Sequence, residues 1–280
     1  MPLKVPSALC CMSETVKYRR GGAFLEREKR RERELNENQL EGRNAVLEVL
    51  RSGRDIEKIM VQKGNVEGTI KRIVAQAAEK GVVIQEVSRQ KLDELSQTKN
   101  HQGVIALVSA HDYVEVEDIL AVARAKGEDP FIILLDGITD PHNLGAILRT
   151  AECAGAHGVI IPKRRSVGLN ATVGKTSAGA IEYIPVAKVT NLVKTMEQLK
   201  KEGLWFACAD IGENDHFDTN LKGPIGLVIG SEGEGVSRLV KENCDFTASI
   251  PMYGKISSLN ASVAAALLMY EVVRQRNYSK

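Results

Sequence analysis

Aromatic side chains are scarce in this 280-residue chain, at 4%. That shortage argues against a binder that grips single-stranded bases mainly by stacking them on exposed rings. Net charge is nearly absent as well: 38 Lys and Arg against 36 Asp and Glu leave +2. Nucleic-acid binding would therefore have to rest on local basic patches, not on a field over the whole molecule. The five cysteines (Cys10, Cys11, Cys153, Cys208 and Cys244) form neither a disulfide-like framework nor a C-x-x-C pair that would hold zinc. They read as reduced packing residues, and no metal is expected. A run of about 20 apolar residues, the length a spanning helix needs, is missing. The apolar opening "VPSALCCM" is too short for a signal-peptide core and runs into dense charge. These shortages lead to the expectation of a cytoplasmic protein with no membrane partner.

What is present is an ordinary globular composition, 43% hydrophobic and 26% charged, in a chain long enough for two domains of about 100 to 200 residues. The first segment, residues 1–36, includes the mixed-charge run "KYRRGGAFLEREKRRERELN". It reads as a solvated helix or disordered tail, with an RNA-tethering arm of Arg19, Arg20, Arg30 and Arg31 as the alternative. Met12 is a second candidate start.

Residues 37–112 read as a small α/β domain. "LEGRNAVLEVL" has helical spacing of Val46, Leu47, Val49 and Leu50; "IEKIMVQ" alternates like a strand; "VEGTIKRIVAQAAEKG" is an amphipathic helix. "VVIQEV", "SRQKLDELSQ" and "GVIALV" add a strand, a helix and a strand. Residues 113–129 carry one short helix and read as a linker. Residues 130–280 then present continuous apolar runs, "PFIILLDGI", "HGVIIP", "IEYIPV", "LWFACAD", "GLVIGSE" and "DFTASIP", separated by helices or turns. Such runs suit strands buried on both faces, so a doubly wound α/β domain with a parallel sheet is predicted.

Two glycine motifs invite familiar labels and fail them. In "GLNATVGKTSAG" five residues separate Gly168 from Gly174 where a P-loop has four, so the backbone amides cannot converge on a phosphate in that manner. "GSEGEG" has its glycines in G-x-x-G-x-G order, not the dinucleotide order. The second loop still ends a strand at the sheet edge where open α/β folds bind ligands, and its glycines allow close backbone approach. Glu232 in this loop is a candidate site residue, or else a helix cap or an arginine partner.

Three motifs in order, "DGITDPHNLGAILRTAECAGAHGVIIP" (136–162), "GLVIGSEGEGVSRLV" (226–240) and "IPMYGKISSLNASVAAALLMYE" (250–271), closely resemble the SpoU/TrmH family of the SPOUT class. Its members are RNA ribose 2'-O-methyltransferases that use S-adenosylmethionine. "LEGRNAVLEVL" and "HQGVIALV" look like the substrate-binding extension of the ribosomal-RNA branch. The resemblance implies a deep trefoil knot near the C-terminus and a homodimer whose active site is completed across the interface. It also implies methyl-donor binding through Gly230, Ile250 and Leu259, with Ser177 beside them, and structured RNA as partner: a guanosine of large-subunit ribosomal RNA is favoured, and transfer RNA is the alternative. A catalytically silent RNA-binding assembly factor of the same fold is the rival outside enzymes.

Methyl transfer to a ribose hydroxyl is an in-line displacement that needs alignment and removal of a proton. Catalytic candidates by resemblance are Asn143, Arg149, Glu232, Ser258 and Asn260. Asn143 has helix capping as its ordinary alternative. Arg149 is either the base or, because a guanidinium keeps its proton, a charge that stabilises the forming alkoxide or grips a phosphate. His142, beside Asn143, reads as a loop-structural or substrate-adjacent residue. Lys163, Arg164 and Arg165, with Arg43 in the first domain, are the candidate phosphate contacts. In "SSLNAS" one cap would suffice for the helix that follows, and Ser257 or Ser258 could supply it; the resemblance instead turns Ser258 and Asn260 toward the ribose and the catalytic arginine.

Overall fold

Two sheets organise the protein. The computed structural model describes residues 38–278 except 53, 65–67, 211, 213 and 214. The charged run through residue 36, with Met12 and the arginines of the expected tether, lies outside them.

The first sheet has the order β1-β4-β2-β3, from β1 (Gln39–Glu41), β2 (Ile56–Gln62), β3 (Ile84–Val87) and β4 (Val104–Val108). Strand β2 runs parallel to β3 and antiparallel to β4. Helices α1 (Arg43–Ser52) and α2 (Gly68–Glu79) put Val46, Leu50, Ile70 and Ile73 against one face. Helix α3 (Arg89–Leu95) covers the other through Leu92 with Met60 and Ile105. The predicted helices and strands are all found here. Strand β1 is an addition: three residues, mostly polar and half-buried, carry no alternation to read.

The second sheet is wholly parallel, in the order β10-β8-β9-β5-β6-β7. Its strands are β5 (Phe131–Asp136), β6 (Gly158–Pro162), β7 (Val186–Val189), β8 (Trp205–Ala209), β9 (Ile225–Gly230) and β10 (Phe246–Ala248). Every residue of β5 and β9 is buried, as strands covered on both faces require. Along β5, Phe131, Ile133 and Leu135 enter one core, while Ile132 and Leu134 enter the other. The first core is closed by α5 (Pro141–Cys153) and α9 (Ala261–Tyr278). The second is closed by α4 (Val116–Lys126) and α7 (Leu192–Lys201). Ile119 and Leu120 of α4 build the segment expected as a linker into this core.

One strand is shifted from its expected place. "IEYIPV" begins as a 3-10 turn, Ala180–Glu182, and β7 starts only at Val186. Pro185 has no N–H to give to a ladder. Its carbonyl accepts from Val159 at 2.9 Å, and the strand forms beyond it.

Candidate active site

Because all strands of the second sheet are parallel, their C-terminal ends share one edge. The chain runs outward from β5 through β6 and β7, then returns to the other side of β5 with β8 and β9. The loops after β5 and β9 thus flank the point where the strand order reverses, the usual ligand position in open α/β sheets.

Helix α5 follows β5 directly. Asp140 is its cap, accepting from the His142 N–H at 3.0 Å, with Pro141 in the first turn. Asn143 is therefore free of capping duty. Its Nδ2 donates to Glu232 Oε1 at 2.9 Å, and its Oδ1 accepts from Asn260 Nδ2 at 2.9 Å. Asn260 Nδ2 also reaches Glu232 Oε1. Three side chains from three distant segments thus close one ring of hydrogen bonds.

Glu232 is held in place by a tight loop. Ser231 and Gly235 exchange backbone bonds of 3.1 and 3.0 Å, and Ser231 Oγ accepts from the Glu234 N–H at 3.3 Å. Gly230 makes this turn possible: a Cβ there would lie 2.1 Å from the Gly235 carbonyl carbon. Asp136, at the end of β5, fixes the far side of the loop by accepting from the Ser237 N–H at 2.8 Å.

Asn260 also starts helix α9. Its Oδ1 accepts from the Ser262 N–H at 3.0 Å, the Val263 N–H at 3.4 Å and the Ser262 hydroxyl at 2.6 Å. Asn260 is thus the cap, a duty for which Ser257 or Ser258 would also have sufficed. Both serines lie in the irregular segment before α9 and line a cleft.

That cleft, about 400 Å³, is formed by the ends of β8, β9 and β10 and by the segment leading into α9. Gly230, Glu232, Ile250, Ser258 and Leu259 all line it, so five of the expected site residues meet at one cavity. Asp210, not singled out from the sequence, lines it too and pairs with Lys241 Nζ at 2.5 Å. The signal was available: "WFACAD" places a carboxylate at the C-terminal edge of its strand. The hydrogen bond it donates to Asp210, and then the Asp210 charge, push the Lys241 ammonium up from its ordinary value.

Other expected residues lie elsewhere. Ser177 is fully buried at the end of α6 (Ala171–Thr176), where its hydroxyl donates to the Gly174 carbonyl at 2.9 Å. It does not line the cleft, because its one polar group is committed to ending that helix. Arg149 is exposed and, among the described residues, has no hydrogen bond or ion pair. Six residues along a helix is a rotation of about 120° away from Asn143, so its side chain leaves the helix on a different face from the ring. Lys163, Arg164 and Arg165 do not form one patch. Lys163 lines a groove between the two sheets, Arg164 is exposed, and Arg165 lines a hollow beside Ser231 and Glu234. Arg43 heads α1 in the first sheet, with Nε donating to the Gln102 carbonyl at 3.1 Å. Among the described residues no group of three His, Cys, Asp or Glu side chains is arranged to hold a metal, and no helix is long and apolar enough to cross a membrane.

Known proteins resemble this chain over both of its sheets. Residues 130–270 match the family model described as the SpoU rRNA Methylase family, and residues 39–114 match the one for RNA 2'-O ribose methyltransferase substrate binding. A Bacillus subtilis protein named for the TrmH family of tRNA/rRNA methyltransferases, YacO, is 52% identical over 238 residues, covering 84% of this chain and 95% of its own. Among solved structures, the SpoU methyltransferase AviRb from Streptomyces viridochromogenes superposes with a TM-score of 0.54 at 25% identity, over 85% of this chain and 89% of its own. An AdoMet-bound rRNA methyltransferase from Sinorhizobium meliloti has the same fold, with a TM-score of 0.54 at 22% identity, over 86% and 88% of the two chains.

Proposed function

Since the chain belongs to the SpoU family of RNA methyltransferases, we propose that it methylates a ribose 2'-hydroxyl of structured RNA, with S-adenosylmethionine as methyl donor. The observation that carries this reading is the ring of Asn143, Glu232 and Asn260 at the rim of the cleft.

The cleft fits the donor. Gly230, Ile250 and Leu259 line it, Ala248, Ala261 and Ala264 leave width, and Asp210 and Ser258 offer polar side chains. When bound, S-adenosylmethionine supplies a methyl group activated by its sulfonium. The protein's own task is to present the ribose oxygen in line and to manage its proton. The rigid ring fixes Asn143 and Asn260 as amides beside the reacting sugar. Arg149 acts as the cation that stabilises the forming alkoxide.

In this reading the catalytic unit is a homodimer. Arg149 leaves its helix away from the ring of its own protomer and serves the partner's. Helix α9 offers a surface for the second copy: Val263, Leu267 and Tyr270 lie on one stripe at 46, 45 and 51% exposure. Residues 37–112 dock the RNA, residues 130–280 hold the chemistry and the family's trefoil knot, and the protein works in the cytoplasm. The substrate is a guanosine of large-subunit ribosomal RNA, in keeping with the rRNA description of the matched methylase family.

Incubation with methyl-labelled S-adenosylmethionine and unmodified transcripts of large-subunit ribosomal RNA and of transfer RNA, followed by mapping of the label, tests the proposal. Label at a ribose of the first supports it, and label in transfer RNA alone reassigns the substrate. Cofactor binding without label in either overturns the enzymatic reading.

A further inference from the structure

A second cleft, about 280 Å³, lies between the two sheets and takes no part in the site above. Its floor is a buried ion pair between Glu57 on β2 and Lys188 on β7, with side chains only 15 and 13% exposed. The Tyr113 hydroxyl donates to Glu57 at 2.5 Å and accepts from the Leu169 N–H at 2.9 Å. Lys188 Nζ also sits 4.7 Å from the centre of the Tyr113 ring. Burial, and then the Glu57 charge, push the Tyr113 phenol up, so it stays a donor. Gly168 presses against this floor: a Cβ there would lie 1.9 Å from Glu57 Oε2. The first sheet is thereby latched to the second, and the groove has a fixed shape.

The acids of the groove are Glu57, Asp55 and Glu115. Glu57 answers Lys188, Asp55 accepts from the Tyr113 N–H at 3.2 Å, and the Glu115 N–H donates to Asp118 at 3.0 Å at the head of α4. The cations at the rim are different. Arg54 precedes β2, Lys80 follows α2 and Lys163 follows β6, and among the described residues none of these three side chains has a hydrogen bond or ion pair. Lys163 Nζ points at the turn beside Lys80, 3.7 Å from where a Gly81 Cβ would be. The lining thus holds four cations, Arg54, Lys80, Lys163 and Lys188, against three acids, and the three cations at the rim come from three segments, an arrangement that favours phosphate.

We propose that this groove binds the phosphate backbone of the substrate RNA through Arg54, Lys80 and Lys163, away from the reacting nucleotide. The proposal rests on the RNA methyltransferase reading. Arg164 and Arg165 follow Lys163 in the chain, and Arg165 lines the hollow beside Ser231 and Glu234 in the loop that carries Glu232. RNA held in the groove would pass over this segment with its target ribose at the ring. Because the groove has one wall from each sheet, the docking unit and the catalytic unit grip one strand together.

The test is equilibrium binding of an unmodified large-subunit ribosomal RNA transcript over a range of salt concentrations, with cofactor binding and methylation measured separately. The double variant Arg54→Glu, Lys80→Glu should bind about tenfold or more weakly at physiological salt. Its slope of log affinity against log salt should flatten by about 0.7 to 0.9 per lost contact, with cofactor affinity unchanged. Arg54→Gln, Lys80→Gln should show the same direction with a smaller loss, and it replaces the charge reversal if that variant unfolds. Unchanged RNA affinity and slope in a folded variant overturn the groove, as does a wild type that does not bind the transcript. A wild type that binds RNA through these residues yet methylates none overturns the enzymatic reading and leaves the groove standing.

Discussion

Asn260 and Asn143, 117 residues apart in the chain, bond side chain to side chain at 2.9 Å. Each amide has a second attachment: Asn143 Nδ2 reaches Glu232, and Asn260 Oδ1 caps helix α9. The start of α9 is thereby tied to the start of α5, and the helix packing that closes one core also sets the geometry of the candidate site. A site on helix ends held this way needs little reorganisation when substrate arrives.

Substitution at Asn260 should separate its two roles. Asn260→Asp keeps an oxygen for the cap and removes the Nδ2 donor shared by Asn143 and Glu232. Its added charge also opposes Glu232. Methyl transfer should fall by about 100-fold or more, the usual scale for losing one preorganised donor, with α9 still capped. Asn260→Ala loses the donor and the cap together and should cost about 1 kcal/mol of stability besides. Thermal unfolding alongside label incorporation checks both. Equal stability of the Ala variant and wild type would contradict the capping role.

Gly230→Ala should damage the cofactor cleft before the chemistry. A methyl group at this position meets the Gly235 backbone, which cannot swing aside as a side chain would. Overpacking of this kind costs about 1 to 3 kcal/mol, and displacing the loop also moves Glu232. Calorimetric titration should show S-adenosylmethionine affinity down by at least tenfold, a change of about 1.4 kcal/mol. Unaltered affinity would mean that the glycine loop does not hold the donor.

How much of this was legible beforehand follows from the range of each interaction. Strands β5 and β9 were readable because burial on both faces writes an unbroken apolar run into the sequence. Asn143 was readable as a residue at the head of a helix after a strand, but its freedom from capping depended on Asp140 taking that role. No periodicity in the chain pairs it with Asn260. Among the small polar residues before α9, local preference could not choose the cap, because Ser257, Ser258 and Asn260 are all competent. Tertiary pairing with Glu232 selects Asn260. Ser177 had the right type and the wrong surroundings, and β1 was too short and polar to announce itself. The division of Lys163 and Arg165 between two cavities depends on the left-handed backbone at Arg165, φ 56°, which the residue type does not foretell.

The loop over residues 96–103 should open in acid through one carboxylate. Burial alone would raise the Glu41 carboxyl, but bonds from Thr98, Gln97, Ser96 and Gln39 outweigh it and hold the group at about 2 against an ordinary 4.5. These bonds help to hold a loop with two left-handed non-glycine residues, Lys99 at φ 58° and Gln102 at φ 50°. With its folded value depressed, Glu41 contributes its stabilisation fully above about pH 4.5 and loses it as pH falls toward 2. Amide protection in the loop, corrected for the intrinsic pH dependence of exchange, should fall across that window in the wild type. In Glu41→Gln it should already be low at neutral pH and should stay level between pH 5 and 2.5. A wild-type loop equally protected at both ends of the window would contradict the anchor.

Mixing two inactive variants should reveal which protomer supplies Arg149. Asn143, Glu232 and Asn260 form their ring within one chain, whereas Arg149, on the same helix as Asn143, leaves it about 120° away and has no partner among the described residues. Arg149→Ala and Asn260→Asp should each be inactive alone. If a partner's Arg149 completes each ring, a mixed dimer contains one site with both residues intact and one with neither. Random exchange makes half of the dimers mixed, so about a quarter of wild-type activity should return. If Arg149 served its own ring, every site in the mixture would still lack one residue and no activity would return. Leu267→Glu, aimed at the exposed stripe of α9, supplies the control. It should yield monomers by sedimentation that bind S-adenosylmethionine less than tenfold more weakly and transfer no methyl group. An active monomer would contradict a shared site regardless of the mixing result.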